Sequence, residues 1–180
     1  LYKITDRDSY YYRGAYMDCI RGLDFLEGRP EVDGLRMAVT GASQGGGLAL
    51  ATASLDKRLK AAVPRLPWLC NFPEGAKWTG YPYSQLHDYL EENPENREIV
   101  MENLSYFDNL NLADGIACPL LTCVAIKDSV HPYHTIMPVF ERIEAIKRII
   151  VYADADGLEV GQINVDFNRH TMDWLERYMG

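Results

Sequence analysis

The feature that most constrains this chain is seven residues long. Gly41-Ala42-Ser43-Gln44-Gly45-Gly46-Gly47 stands between a strand-like run, Leu35-Arg36-Met37-Ala38-Val39-Thr40, and an Ala/Leu-rich stretch, Leu48 to Leu55, that reads as helix. Gly-x-Ser-x-Gly between a strand and a helix predicts a sharp, strained turn that lifts the serine hydroxyl above the end of a sheet. Glycines on either side remove the Cβ atoms that would collide there, and the first N–H groups of the helix point at the space above the serine. A phosphate-cradling loop is the competing reading. It requires a Lys-[Ser/Thr] pair after the last glycine, and this chain lacks one.

The rest of the chain supplies what such a turn needs. Asp8 to Glu27 carries Tyr12, Tyr16, Ile20, Leu23 and Leu26 at near-helical spacing, and Gly28 and Pro30 end the run. Ala61 to Leu66 predicts a second strand, its end demoted by Pro64. Residues 67–90 hold Trp68, Phe72, Trp78, Tyr81, Tyr83 and Tyr89 among prolines and glycines, and read as an irregular, aromatic-rich insertion. Glu91 to Leu104 predicts a helix with Asn93-Pro94 near its start. Leu120 to Ile126 is the most apolar strand, Thr135 to Ala145 a helix and Arg148 to Tyr152 a strand. A final helix, Gln162 to Tyr178, turns Ile163, Phe167, Trp174 and Leu175 inward. This alternation predicts a single α/β domain over residues 1–180, with about four parallel strands and helices on both faces. Ligands of such sheets bind at the carboxyl ends of the strands, where Ser43 and Asp128 both fall.

Composition narrows the function classes. With 180 residues and 47% apolar content the chain can build a real core. A net charge of -8 without any basic run argues against nucleic acid and anionic membrane as partners. No apolar stretch approaches the length of a membrane span. Cys19, Cys70, Cys118 and Cys123 have no metal-ligand spacing, so neither metal nor other cofactor is expected. They read as free thiols of a reducing compartment, and a cytoplasmic location is expected over a secreted one.

A serine at such a turn needs an acid and a base, which follow it in the order acid then histidine. Asp128, ending the Leu120–Ile126 strand, is the candidate acid, although Asp is also common in plain turns. Gln44 supplies a candidate oxyanion N–H. The histidine should follow the last strand, but Ala153 to Gly161 contains none. His131, three residues after Asp128 and on the correct face, is the candidate substitute. His134 and His87 have weaker claims, and His170 lies too far along the final helix.

Four stretches together resemble a known family: Tyr10-Tyr11-Tyr12-Arg13, Gly41 to Gly47, Pro67-Trp68-Leu69-Cys70-Asn71-Phe72 and Leu104-Ser105-Tyr106-Phe107-Asp108. They resemble the acetyl xylan esterase and cephalosporin C deacetylase family, carbohydrate esterase family seven. The resemblance covers nearly the whole chain and implies the C-terminal half of an α/β-hydrolase fold. It implies Ser43 as nucleophile, Asp128 as acid, Gln44 as oxyanion donor and a small acetylated carbohydrate as substrate. Assembly into compact homo-oligomers is implied as well. Trp68 and Trp78, with Tyr81 and Tyr83, are then candidates to stack on a sugar ring; packing under a loop explains them equally well. The family's Gly-His-Glu segment corresponds to Gly157-Leu158-Glu159, which puts Leu158 where the histidine belongs. The first strands of the family's sheet, and the loop giving its other oxyanion donor, are expected to be missing. Two readings therefore stand: a serine acetylesterase, or a catalytically impaired hydrolase-like domain that binds ligand or is completed by oligomerisation.

Overall fold

The structure is a computed structural model that describes residues 1–155 and 160–180. Helix α1 (Tyr11–Glu27) leads into strand β1 (Met37–Ala42), α2 (Gln44–Leu55) and β2 (Leu59–Arg65). A helical segment follows, made of α3 (Phe72–Gly75), α4 (Ser84–Glu92), α5 (Arg97–Ser105) and α6 (Asn109–Leu112). The chain closes with β3 (Leu120–Ala125), α7 (Tyr133–Arg142), β4 (Lys147–Tyr152) and α8 (Val160–Met179). The four strands form one parallel sheet in the order β1-β2-β3-β4.

The period-2 alternation of the strands sorts the core into two layers. Ala62 and Leu120 face Leu50, Ala53, Val139 and Ile143, which belong to α2, α7 and the turn after α7. Ala61, Val63, Leu121, Cys123 and Ala125 face the opposite way, against Ile163, Phe167 and Trp174 of α8. The inward stripe expected for the last helix is therefore the one observed, with Leu175 packed at its margin. A third cluster, including Tyr12, Tyr16, Leu69, Phe72, Tyr83 and Leu104, joins α1 to the helical segment. All four cysteines are free thiols.

Two expectations need correction and one needs detail. The strand end expected to be weakened at Pro64 is weakened on one side only: β2 runs to Arg65, and Pro64 pairs with Gly41 of β1. The missing proline N–H shows on the other side, where β2 pairs with β3 at Ala62 and Arg65 but not between them. Residues 67–90 are not irregular throughout, since α3 lies within them and α4 begins at Ser84. The helix expected over Glu91–Leu104 is interrupted. Asn93 adopts φ -133° and ψ 63° before Pro94, α4 stops at Glu92, and a 3-10 turn precedes α5.

Candidate active site

Ser43 joins β1 to α2 with φ 54° and ψ -118°. A non-glycine residue there is strained by roughly 1–3 kcal/mol and needs its surroundings to hold it. They do so through the backbone. Ser43 N–H donates to the Arg65 carbonyl (3.0 Å), and the Ser43 carbonyl accepts from Gly47 N–H (3.0 Å) and Trp68 N–H (2.9 Å). The glycines explain themselves in the same geometry. A Cβ on Gly41 would overlap the Gly45 carbonyl, one on Gly46 would sit 2.9 Å from the Arg65 carbonyl oxygen, and one on Gly47 would overlap the Trp68 carbonyl. Of the glycines flanking Ser43, only Gly45 has open space for a side chain.

Asp128 lies just beyond β3, 4% exposed, and folds the next three residues around its own carboxylate. Val130 N–H (2.8 Å) and His131 N–H (3.0 Å) donate to Asp128 Oδ1. His131, 8% exposed, sets Nδ1 3.0 Å from Asp128 Oδ2 and Nε2 2.7 Å from Ser43 Oγ. Burial pushes the Asp128 carboxyl up, but the hydrogen bonds from the His131 ring, the His131 N–H and the Val130 N–H outweigh it and hold it below the usual range. An ionised carboxylate only accepts, so the ring proton belongs on Nδ1, and Nε2 is left to accept the serine hydroxyl proton. Hydroxyl, imidazole and carboxylate in line form the arrangement that removes a proton from a serine as it attacks a carbonyl.

The remaining histidines are engaged elsewhere. His87 Nδ1 lies 3.1 Å from the Ala76 carbonyl, His134 packs edge-on to Trp78, and His170 faces Asp166 at 3.8 Å. Leu158 and its neighbours Gly157 and Glu159 lie outside the described residues.

Gln44 is the first residue of α2, so its N–H has no helical acceptor. Its side-chain amide donates to the Tyr12 hydroxyl (2.9 Å). Burial pushes the Tyr12 phenol up to about 12 despite that bond, and Tyr12 keeps its proton. Ser43, Gln44, Tyr12, Trp68, Tyr81 and Tyr83 all border a cleft of about 460 Å³. Trp78 does not border it; its indole N–H donates to the Ser129 carbonyl (3.0 Å) instead.

The loop carrying Trp68 is stitched down by two side chains that the sequence reading did not single out for this. Asp108 accepts from the N–H groups of Asn71 (2.7 Å), Phe72 (2.7 Å) and Leu110 (2.8 Å). Asn109 Nδ2 donates to the carbonyls of Leu69 (2.9 Å) and Gly47 (3.1 Å). Leu66, Leu69 and Asn71 all have positive φ, which is why so short a loop needs so many anchors. A signal was available: Asp-Asn directly after the Leu104–Phe107 run is a helix-cap and turn pair.

Comparison with known proteins gives the family. The family model described as acetyl xylan esterase (AXE1) matches residues 3–178. The chain belongs to the acetyl xylan esterase family. It is 33% identical over 151 residues to the acetyl esterase Axe7A of Xylanibacter ruminicola, an alignment covering 82% of this chain and 33% of that protein. An acetyl xylan esterase from Paenibacillus sp. R4 superposes with a TM-score of 0.88 at 38% identity, over 97% of this chain and 55% of the other. Acetyl xylan esterase 1 from Thermoanaerobacterium sp. JW/SL YS485 gives 0.79 at 31%, over 96% and 55%. The chain thus spans about half the length of these solved relatives and a third of the curated one. The fold is that of the α/β hydrolases, as the family resemblance implies, and its parallel sheet is the one the alternation of elements predicts. Within the acetyl xylan esterase fold, the described residues draw both acid and imidazole from one loop, the turn after β3.

Proposed function

We propose that this chain carries the reacting serine of a carboxylic ester hydrolase that removes acetyl groups from small sugar esters. Ser43 Oγ attacks the acetyl carbonyl while His131 Nε2 takes its proton. Asp128 holds the ring and balances the imidazolium. The carbonyl oxygen becomes an oxyanion that accepts from Gln44 N–H. As the tetrahedral intermediate collapses, His131 returns the proton to the departing sugar alkoxide and an acetyl-serine remains. Water attacks the acetyl-serine, losing a proton to His131, which passes it to Ser43 Oγ as the ester bond breaks and acetate leaves.

The observation that carries this reading is the 2.7 Å separation of His131 Nε2 and Ser43 Oγ, with Asp128 on the far side of the ring. It favours an active esterase over an impaired domain, because the missing base would be supplied from within the chain. Trp68 and Tyr81 beside Ser43 fit an uncharged sugar ring stacking in the cleft. The β1 strand, paired on one side only among the described residues, supports a homo-oligomeric assembly, which light scattering checks. Hydrolysis of a chromogenic acetyl ester tests the activity. Turnover well above that of Ser43→Ala is expected, and turnover equal to it would reject the esterase reading.

A further inference from the structure

Trp78 stands in the segment between α3 and α4, yet its partners belong to the loop that holds Asp128 and His131. Its indole N–H donates 3.0 Å to the carbonyl of Ser129, the residue between the acid and the turn's end. Its ring meets the edge of His134, on the first turn of α7, at 5.3 Å. Gly80 makes the approach possible: a Cβ there would lie 2.5 Å from Trp78 Nε1 and 2.8 Å from the Ser129 carbonyl oxygen. The Asp128 carboxylate fixes this loop from inside, through Val130 and His131 N–H. Trp78 fixes it from outside, at the Ser129 carbonyl.

We propose that Trp78 is a positioning residue: by holding the Ser129 carbonyl it keeps the Asp128–His131 turn closed and His131 Nε2 in reach of Ser43. The inference rests on the reading of His131 as the base. It gives Trp78 a role other than stacking on substrate, and explains why a tryptophan so near the cleft does not border it. The same contact couples the segment that walls the cleft, through Tyr81 and Tyr83, to the residues that act on the serine.

Two variants separate positioning from packing. Trp78→Phe keeps an aromatic ring and removes the N–H. Gly80→Ala leaves the N–H in place and wedges the two segments apart. The reporter is the downfield NMR signal of the His131 Nδ1 proton shared with Asp128, identified by its loss in His131→Ala. We expect both variants to broaden or lose that signal while remaining cooperatively folded. With a chromogenic acetyl ester, kcat should fall roughly three- to tenfold, the scale of one hydrogen bond, and KM should move less than about twofold. A sharp, unshifted signal and an unchanged kcat in both variants would overturn the role, as would absence of the signal from the parent chain. The signal reports the turn whether or not the chain turns over substrate. A parent chain that shows the signal but hydrolyses nothing therefore contradicts the esterase reading alone, and the two variants still decide the role of Trp78.

Discussion

His131 Nε2 lies 2.7 Å from Ser43 Oγ although 88 positions separate the two residues, while the same ring meets Asp128 across a turn of three. The long-range contact is made by the sheet. β1 and β3 flank β2 in parallel, so the turn after β1 and the turn after β3 emerge at the same edge. The short-range contact is made by the carboxylate itself, which accepts two backbone N–H groups and leaves its other oxygen for the ring. Ser43, Asp128 and His131 follow one another in the chain, with carboxylate and imidazole on one loop.

If serine and imidazole act as a unit, their removals do not add. Ser43→Ala and His131→Ala should each lower kcat on an acetyl ester by about 10⁶-fold, and the double variant should be no slower than either single one. Steady-state kinetics on the three proteins checks this. A double variant slower by the product of the two losses would mean independent roles.

Asp128→Asn should lower kcat less, by about 10⁴-fold, because an amide can donate to Nδ1 and so favour the wrong tautomer. The same variant reports on stability. The folded Asp128 carboxyl is held below its ordinary range, so its ionised form stabilises the fold at neutral pH, and that contribution is lost as pH falls through the depressed value. The stability gap between parent and Asp128→Asn, measured by urea unfolding, should be widest at neutral pH and shrink below about pH 4.

The glycines around Ser43 should differ sharply in tolerance. Gly45→Ala meets open space on the first turn of α2 and should be neutral, or stabilising by up to about 1 kcal/mol. Gly41→Ala and Gly47→Ala would drive a Cβ into backbone carbonyls and should unfold the elbow or lower the unfolding midpoint markedly. Thermal melts of the three variants make the comparison.

Asp108→Ala should be among the most damaging changes distant from the reacting atoms. It strands the N–H groups of Asn71, Phe72 and Leu110 in a site where Asp108 is only 1% exposed. A loss of about 2–4 kcal/mol is expected from denaturant unfolding. Asp108→Asn, which keeps an acceptor at Oδ1 for two of the three donors, should cost less.

Much of this was legible in the sequence because it is local. The elbow follows from Gly-x-Ser-x-Gly between a strand and a helix, and the α8 stripe from Ile163, Phe167 and Trp174 at helical spacing. The place of Asp128 just past β3 was readable from chain order. What escaped reading was set by contacts between distant segments. Trp78 looks like any aromatic near a cleft until its N–H is seen on Ser129. Pro64 weakens its strand toward β3 alone, which could not be read because a sequence does not say which neighbour each N–H must reach. His131 could be named as a substitute base, but its reach depends on how Asp128 curls the turn, and spacing alone does not report that.

The central claim is that His131 activates Ser43, and the rate of covalent capture by a fluorophosphonate ester measures it most directly. The parent chain should be labelled stoichiometrically at Ser43, with no label on Ser43→Ala, and His131→Ala should react at least about a hundredfold more slowly. Labelling of His131→Ala at the parent rate, or no labelling of the parent at all, would contradict it.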